Sequence, residues 1–197
     1  MSRHVGAAVV LIVSCRPWAS ARTPPPPHKV EATHLAPPAG TTLVQACTPT
    51  GPELCFNAID DNCNGVIDEG CGEATGVLQF TIAWGSSPAD VNLTVVTPGQ
   101  ERIPSARTRA TSSGFRLDRD CPGDDGCGGQ NVENVYFEGL DPPHGHYIAE
   151  IALTDLRGAE TPVAVRFGAR LGGHVVGFDV QLAPGVDDKK TFGFDLP

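Results

Sequence analysis

Residues 147–154 read Tyr-Ile-Ala-Glu-Ile-Ala-Leu-Thr. Tyr147, Ala149, Ile151 and Leu153 fall on one side of a period of two, and Ile148, Glu150, Ala152 and Thr154 on the other. Successive side chains of a strand point to opposite faces, so this alternation predicts a strand with one face on a core. The rhythm continues with Val163, Val165 and Phe167 set against Ala164 and Arg166, and again with Phe178, Val180 and Leu182. Further runs rich in Val, Ile, Phe and Thr place strands at 77–84, 91–96, 114–117, 132–137, 174–182 and 191–196. Turn clusters separate them, drawn from a chain with 23 Gly and 18 Pro. No stretch keeps a helical period for three turns. Residues 76–197 therefore read as an all-β domain, an antiparallel β-sandwich with enough chain to bury a core.

Upstream of that domain, residues 47–71 read CTPTGPELCFNAIDDNCNGVIDEGC, with a cysteine every eighth residue. Set against a calcium loop, Asp60, Asn62 and Asn64 take positions 1, 3 and 5. Gly65 takes position 6, where the sharp turn needs φ > 0, and Val66 offers its carbonyl at position 7. Ile67 is the apolar residue that pins the loop to a core, and Asp68 takes position 9. Alternate side chains of so tight a loop converge on one centre, and oxygen donors suit a hard cation. Cys63 at position 4 points away from that centre and is free to pair. Position 12, normally a bidentate Glu, is Cys71, which leaves Glu69 to close the shell. The expected cofactor is calcium, held by Asp60, Asn62, Asn64, Val66, Asp68 and Glu69. The alternatives are an acidic turn stapled by disulfides that binds nothing, and a four-thiolate zinc site. Zinc is disfavoured by the missing C-x2-4-C pairs.

These residues carry a resemblance. Pro52-Glu53-Leu54-Cys55 followed by Ile59-Asp60-Asp61-Asn62-Cys63-Asn64-Gly65-Val66-Ile67-Asp68-Glu69-Gly70-Cys71 resembles the MopE-type metal-binding motif of exported proteins. The resemblance implies metal binding outside the cytoplasm. That family is copper-associated, whereas the oxygen donors here favour calcium. Phe56-Asn57-Ala58 departs from the commoner Asn-Gly after the second cysteine. Residues 76–197 are similar to the YfaP-like family of unknown function. The matching residues are Phe80 to Trp84, Pro88 to Leu93, Val96-Thr97-Pro98, Leu117 to Asp120, Val132 to Tyr136 and Pro142 to Tyr147. That likeness lends a fold rather than an activity.

The N-terminus reads as an export signal. Arg3 and His4 precede an apolar run from Val5 to Val13, too short to span a bilayer as a helix but suited to a signal-peptide core. Ile12-Val13-Ser14-Cys15 resembles a lipobox, which makes residues 1–15 the signal and Cys15 the lipidation site. A rival cut after Ala19-Ser20-Ala21 would release a soluble protein. Residues 16–45, with Pro24 to Pro27 in a row, read as a disordered linker. At about 3.1 Å per residue it could hold the folded part up to roughly 90 Å from a membrane. The expected location is the cell envelope, as an outer-membrane lipoprotein or a secreted form, with membrane contact only through the lipid anchor. Six further cysteines, Cys47, Cys55, Cys63, Cys71, Cys121 and Cys127, then read as three disulfides. Sequence alone leaves 15 pairings open.

A second acidic group lies in the C-terminal domain. Asp90 and Asn92 share a strand face, while Asp118, Asp120, Asp124 and Asp125 crowd a Gly-rich loop just before Glu133. Asp90, Asn92, Asp118, Asp120 and Glu133 form a possible second metal site, against a solvated loop closed by Cys121–Cys127. With 14 Lys and Arg against 23 Asp and Glu, no basic footprint for nucleic acid exists. No G-x-S-x-G, H-E-x-x-H or phosphate loop appears, so an enzyme is not expected. The expected role is a lipid-anchored, calcium-binding surface module for binding or adhesion to an envelope or extracellular partner. The alternatives are a structural envelope protein stabilised by its metal, and an uncharacterised extracytoplasmic hydrolase.

Overall fold

The computed structural model describes residues 34–44, 47, 51–103, 112–123 and 127–197. The signal, Cys15, the rival cut after Ala21, and Asp124 and Asp125 lie outside the described residues. Eleven strands follow one another: β1 (His34–Ala36), β2 (Thr42–Leu43), β3 (Leu78–Ala83), β4 (Asp90–Val96), β5 (Arg102–Ile103), β6 (Phe115–Asp120), β7 (Val132–Phe137), β8 (Gly145–Asp155), β9 (Val163–Leu171), β10 (His174–Leu182) and β11 (Lys189–Leu196). They pair into a five-stranded sheet ordered β1-β11-β8-β4-β5 and a six-stranded sheet ordered β2-β10-β9-β3-β7-β6. Every pairing is antiparallel. All eight strands expected from the alternation are present, and β5 is an addition too short to carry a period.

The alternation sorts the faces as expected. Tyr147, Ala149 and Ile151 of β8 are fully buried, with Phe192 and Phe194 of β11 beside them and Phe80, Ile82 and Phe167 opposite. Rings from the two sheets interlock: Phe80 meets Phe194 at 5.3 Å between centroids, and Phe167 meets Phe192 at 4.5 Å. Such pairs add about 0.5–1.5 kcal/mol each beyond the area they bury. The Tyr147 hydroxyl donates back to the Pro143 carbonyl at 2.6 Å, which ties the turn before β8 to the sheet.

Two features depart from the sequence reading. Residues 34–44 were expected to belong to the linker, yet β1 adds to the edge of β11 and β2 to the edge of β10. The Val44 N–H continues that pairing onto the Gly177 carbonyl at 2.8 Å. An edge strand offers a row of free backbone groups, which a short segment can fill whatever its side chains are. Hydrophobic periodicity therefore carries no signal for it.

The second feature is β3, buried at all six positions. Leu78, Phe80 and Ile82 face the sandwich core. Gln79 and Thr81 face outward and are also 0% exposed, because the cysteine-framed segment lies over them. Ala58 and Ile67 of that segment, both fully buried, press on Gly168 of β9. The Gln79 amide donates to the Ile67 carbonyl at 3.2 Å. Ile67 thus pins the loop as expected, onto the outer face of the six-stranded sheet.

Candidate metal centre

The segment from Gly51 to Thr75 has no helix or strand. Its shape comes from cross-links and from side chains that bind backbone. Cys47 pairs with Cys63 and Cys55 with Cys71, each across 16 residues, so the two bridges interlace. Cys121–Cys127 closes a separate short loop. Cys63, Phe56, Ala58 and Asp68 all have positive φ, a conformation that non-glycine residues rarely adopt. The bridges and carboxylate contacts hold them there.

Within that frame the loop winds as its spacing predicts. Asp60 Oδ1 accepts the Asn64 N–H at 3.0 Å and Oδ2 accepts the Gly65 N–H at 2.9 Å. Gly65 makes the turn with φ 87°. Asn62 Oδ1 also accepts the Asn64 N–H, and Asn64 Oδ1 accepts the Val66 N–H. The amides of Asn62 and Asn64 then converge on one oxygen. Asn62 Nδ2 donates to Glu69 Oε1 at 2.6 Å, and Asn64 Nδ2 donates to the same atom. Glu69 Oε2 is buried without a hydrogen-bond partner. Positions 1, 3 and 5 and Glu69 are therefore brought together. Each amide oxygen keeps a second lone pair for a cation.

Asp68 departs from its expected place at position 9. It is 0% exposed, turned away from the loop, and its two oxygens accept the Asn57 and Ala58 N–H groups at 3.2 and 3.0 Å. Burial pushes its carboxyl up to about 6, against those hydrogen bonds. Asp68 shapes the turn that carries Ala58 into the sheet and is not placed as a ligand. Glu53, in contrast, joins the site unforeseen. Its oxygens accept the Asn62 N–H at 3.3 Å and the Asp68 N–H at 3.0 Å. Burial, and then the charge of Glu69, raise it to about 7. The signal was its place just before Cys55, outside the span of a calcium loop.

The second acidic group divides. Asn92 alternates with buried Val91 and Leu93, faces outward and donates to the Thr154 hydroxyl at 2.7 Å. A bulge falls between Leu117 and Arg119. Asp118 takes the outer face, where it accepts the Ala74 N–H at 2.8 Å and the Asn134 amide at 3.2 Å. Asp120 pairs across from Glu133, whose carboxylate is buried and accepts the Leu93 N–H at 2.6 Å. Asp90 bonds Arg157 at 2.6 Å. Of the five expected ligands, Asp90 and Asp120 act on Glu133 through their charges. Among the described residues no three His, Cys, Asp or Glu side chains are grouped to hold a metal by themselves. The loop's donors are two carboxylates and two amides.

Burial chiefly holds Glu133 well above the usual carboxylate range. The Leu93 N–H opposes that, and the charges of Asp120 and Asp90 add to it, as does a hydrogen bond with Asp120. A raised folded value means that the folded chain keeps a proton which the unfolded chain releases at about 4.3. The resulting stability is full below that unfolded value and is lost as pH rises through the folded one. Glu133→Gln can still accept from Leu93 and donate to Asp120. Urea midpoints followed against pH are expected to fall for the wild type as pH rises above the ordinary carboxylate value and to stay flatter for Glu133→Gln. Parallel curves contradict this.

The fold and site define an all-β protein: a sandwich with a disulfide-framed acidic loop docked on one outer face. No family model, curated protein or solved structure matches the chain.

Proposed function

We propose that this chain is an exported, lipid-anchored calcium-binding surface protein that acts as a binding or adhesion module. The observation that carries it is the convergence of Asp60, Asn62, Asn64 and Glu69 inside two interlaced disulfides, with one Glu69 oxygen buried and unpartnered. Two carboxylates and two amides, with the Val66 carbonyl next along the turn, are hard donors of the kind calcium selects. A bound cation would supply charge neutralisation to a group of oxygens that otherwise repel. Three disulfides suit an oxidising compartment. The resemblance to the MopE-type motif and the lipobox-like Cys15 point the same way. For a partner, the surface offers a groove of about 370 Å³ where Phe56 and Asn57 meet Arg166, Asp179 and Gln181.

Isothermal calorimetry on the chelator-stripped protein tests the metal. One calcium per chain is expected, and Asp60→Ala with Glu69→Gln should abolish the heat. The cation lowers the Glu53 carboxyl from about 7, so binding should release protons and tighten as pH rises through that value. Wild-type protein without calcium heat ends the proposal.

A second reading is a structural envelope protein whose calcium only holds the fold. The packing of Ala58 and Ile67 against Gly168 favours it. Calcium-dependent adhesion of beads coated with the protein to cells separates the two readings. Adhesion that survives chelation, or none at all, leaves the structural role.

A further inference from the structure

Glu73, two residues after the last cysteine of the segment, has a side chain 0% exposed. Neither of its carboxylate oxygens has a hydrogen-bond partner. The nearest cation is Arg119 of β6, whose Nε lies 3.8 Å from Oε1, beyond hydrogen-bonding reach. Arg119 is also engaged elsewhere: its guanidinium sits over the Phe56 ring, 5.1 Å from the centroid, and Nη2 donates to the Gly72 carbonyl at 3.3 Å.

The groups around Glu73 are mostly of its own sign. The segment contributes Asp68, and β6 contributes Asp118 beside Arg119. The neighbouring strands β3 and β7 contribute neutral Gln79 and Asn134. The Asn134 amide is spent on the Ala74 carbonyl and Asp118. The Gln79 amide is spent on Ile67, Thr81 and Asn134, and Gln79 Oε1 is itself buried without a partner. The seam between the segment and the sheet thus holds three carboxylates, one guanidinium and a surplus of acceptors. An ionised carboxylate buried there without a donor is strongly unfavourable, whereas a protonated one is neutral.

We propose that this seam is a proton-gated latch: the cysteine-framed segment stays docked on the six-stranded sheet while Glu73 is protonated and swings away when Glu73 ionises. Burial, and then the Asp68 charge, push the Glu73 carboxyl up to about 8; Arg119 opposes them and Asp118 adds to them. The docked state is thus favoured below the ordinary carboxylate value and loses that advantage as pH rises through about 8. The interlaced disulfides keep the loop's own shape, so the acidic loop moves as a unit and uncovers Gln79, Thr81 and Asn134. Alkalinity is the input, and exposure of this amide-lined strip is the output.

The test is backbone hydrogen exchange on the whole chain with disulfides intact and a chelator present. The chelator makes the result independent of calcium binding. The reporter is the Ala74 amide, which bonds Asp118 of β6 across the seam. After correction for base catalysis, wild-type protection is expected to fall about tenfold per pH unit as pH rises from the ordinary carboxylate value towards about 8 and to level off above it, while Glu73→Gln keeps it. Unchanged wild-type protection, or an equal loss in Glu73→Gln, overturns the latch. Should Glu73→Gln not fold, carbon-13 titration of wild-type Glu73 decides. A midpoint far above ordinary carboxylates supports the latch, and an ordinary midpoint ends it.

Discussion

Gly168→Val is expected to force the cysteine-framed segment off the sheet and leave the sandwich folded beneath it. A Cβ at Gly168 would lie 2.3 Å from the Ala58 carbonyl oxygen and 3.1 Å from Ile67 Cδ1. The nearer obstacle is backbone, held by the Asp68 contacts and the Cys55–Cys71 bridge, so it cannot swing aside as a side chain could. Undocking exposes Ile67, whose burial contributes about 1.5–3 kcal/mol, and removes the Ile67 carbonyl from Gln79. Overpacking of this kind costs about 1–3 kcal/mol even where the structure relaxes. Limited proteolysis should therefore cut the variant between residues 51 and 75 at a protease level the wild type resists. The near-ultraviolet signal of the core aromatics should persist. A variant as resistant as the wild type would mean the segment is not seated on Gly168 in solution.

Reduction combined with chelation is expected to collapse residues 47–71 while β3 to β11 keep their ladders. Residues 51–75 form no helix or strand of their own. The segment relies on two bridges, each closing a loop across 16 residues, and a loop of that length is worth about 3 kcal/mol in the chain-entropy account. Calcium at a hundredfold excess over its Kd would add about 2.7 kcal/mol. The melting temperature should therefore rise with calcium in the oxidised protein, fall on reduction, and fall furthest when both supports are removed. Amide exchange at Gly65 and Ala58 locates the loss, because their N–H groups bond Asp60 and Asp68 inside the segment. A melting curve indifferent to both treatments contradicts this account.

The loop shows how far local spacing reaches. Asp60, Asn62, Asn64 and Gly65 lie within one turn of chain, and their hydrogen bonds join residues no more than five apart. Spacing alone was therefore enough to bring them together. Asp68 fits the same pattern, yet its oxygens were taken by N–H groups at Asn57 and Ala58, ten or more residues earlier. Glu53 entered through the same fold-back. In the second acidic group the deciding event was the bulge between Leu117 and Arg119, which sent Asp118 and Asp120 to opposite faces. An alternating pattern cannot announce a bulge in advance.

By itself the sequence determined eight strands, which of their faces meet the core, and the coil of the acidic loop. Each of these follows from side chains a few residues apart and from the fixed period of a strand or a turn. Only the tertiary structure decided the disulfide pairing, the two edge strands from residues 34–44, the seat of the loop on Gly168, and the enclosure of Glu73 and Glu133. Those depend on backbones that meet across long stretches of chain, where contact is set by the closeness of approach and by which donors remain unspent.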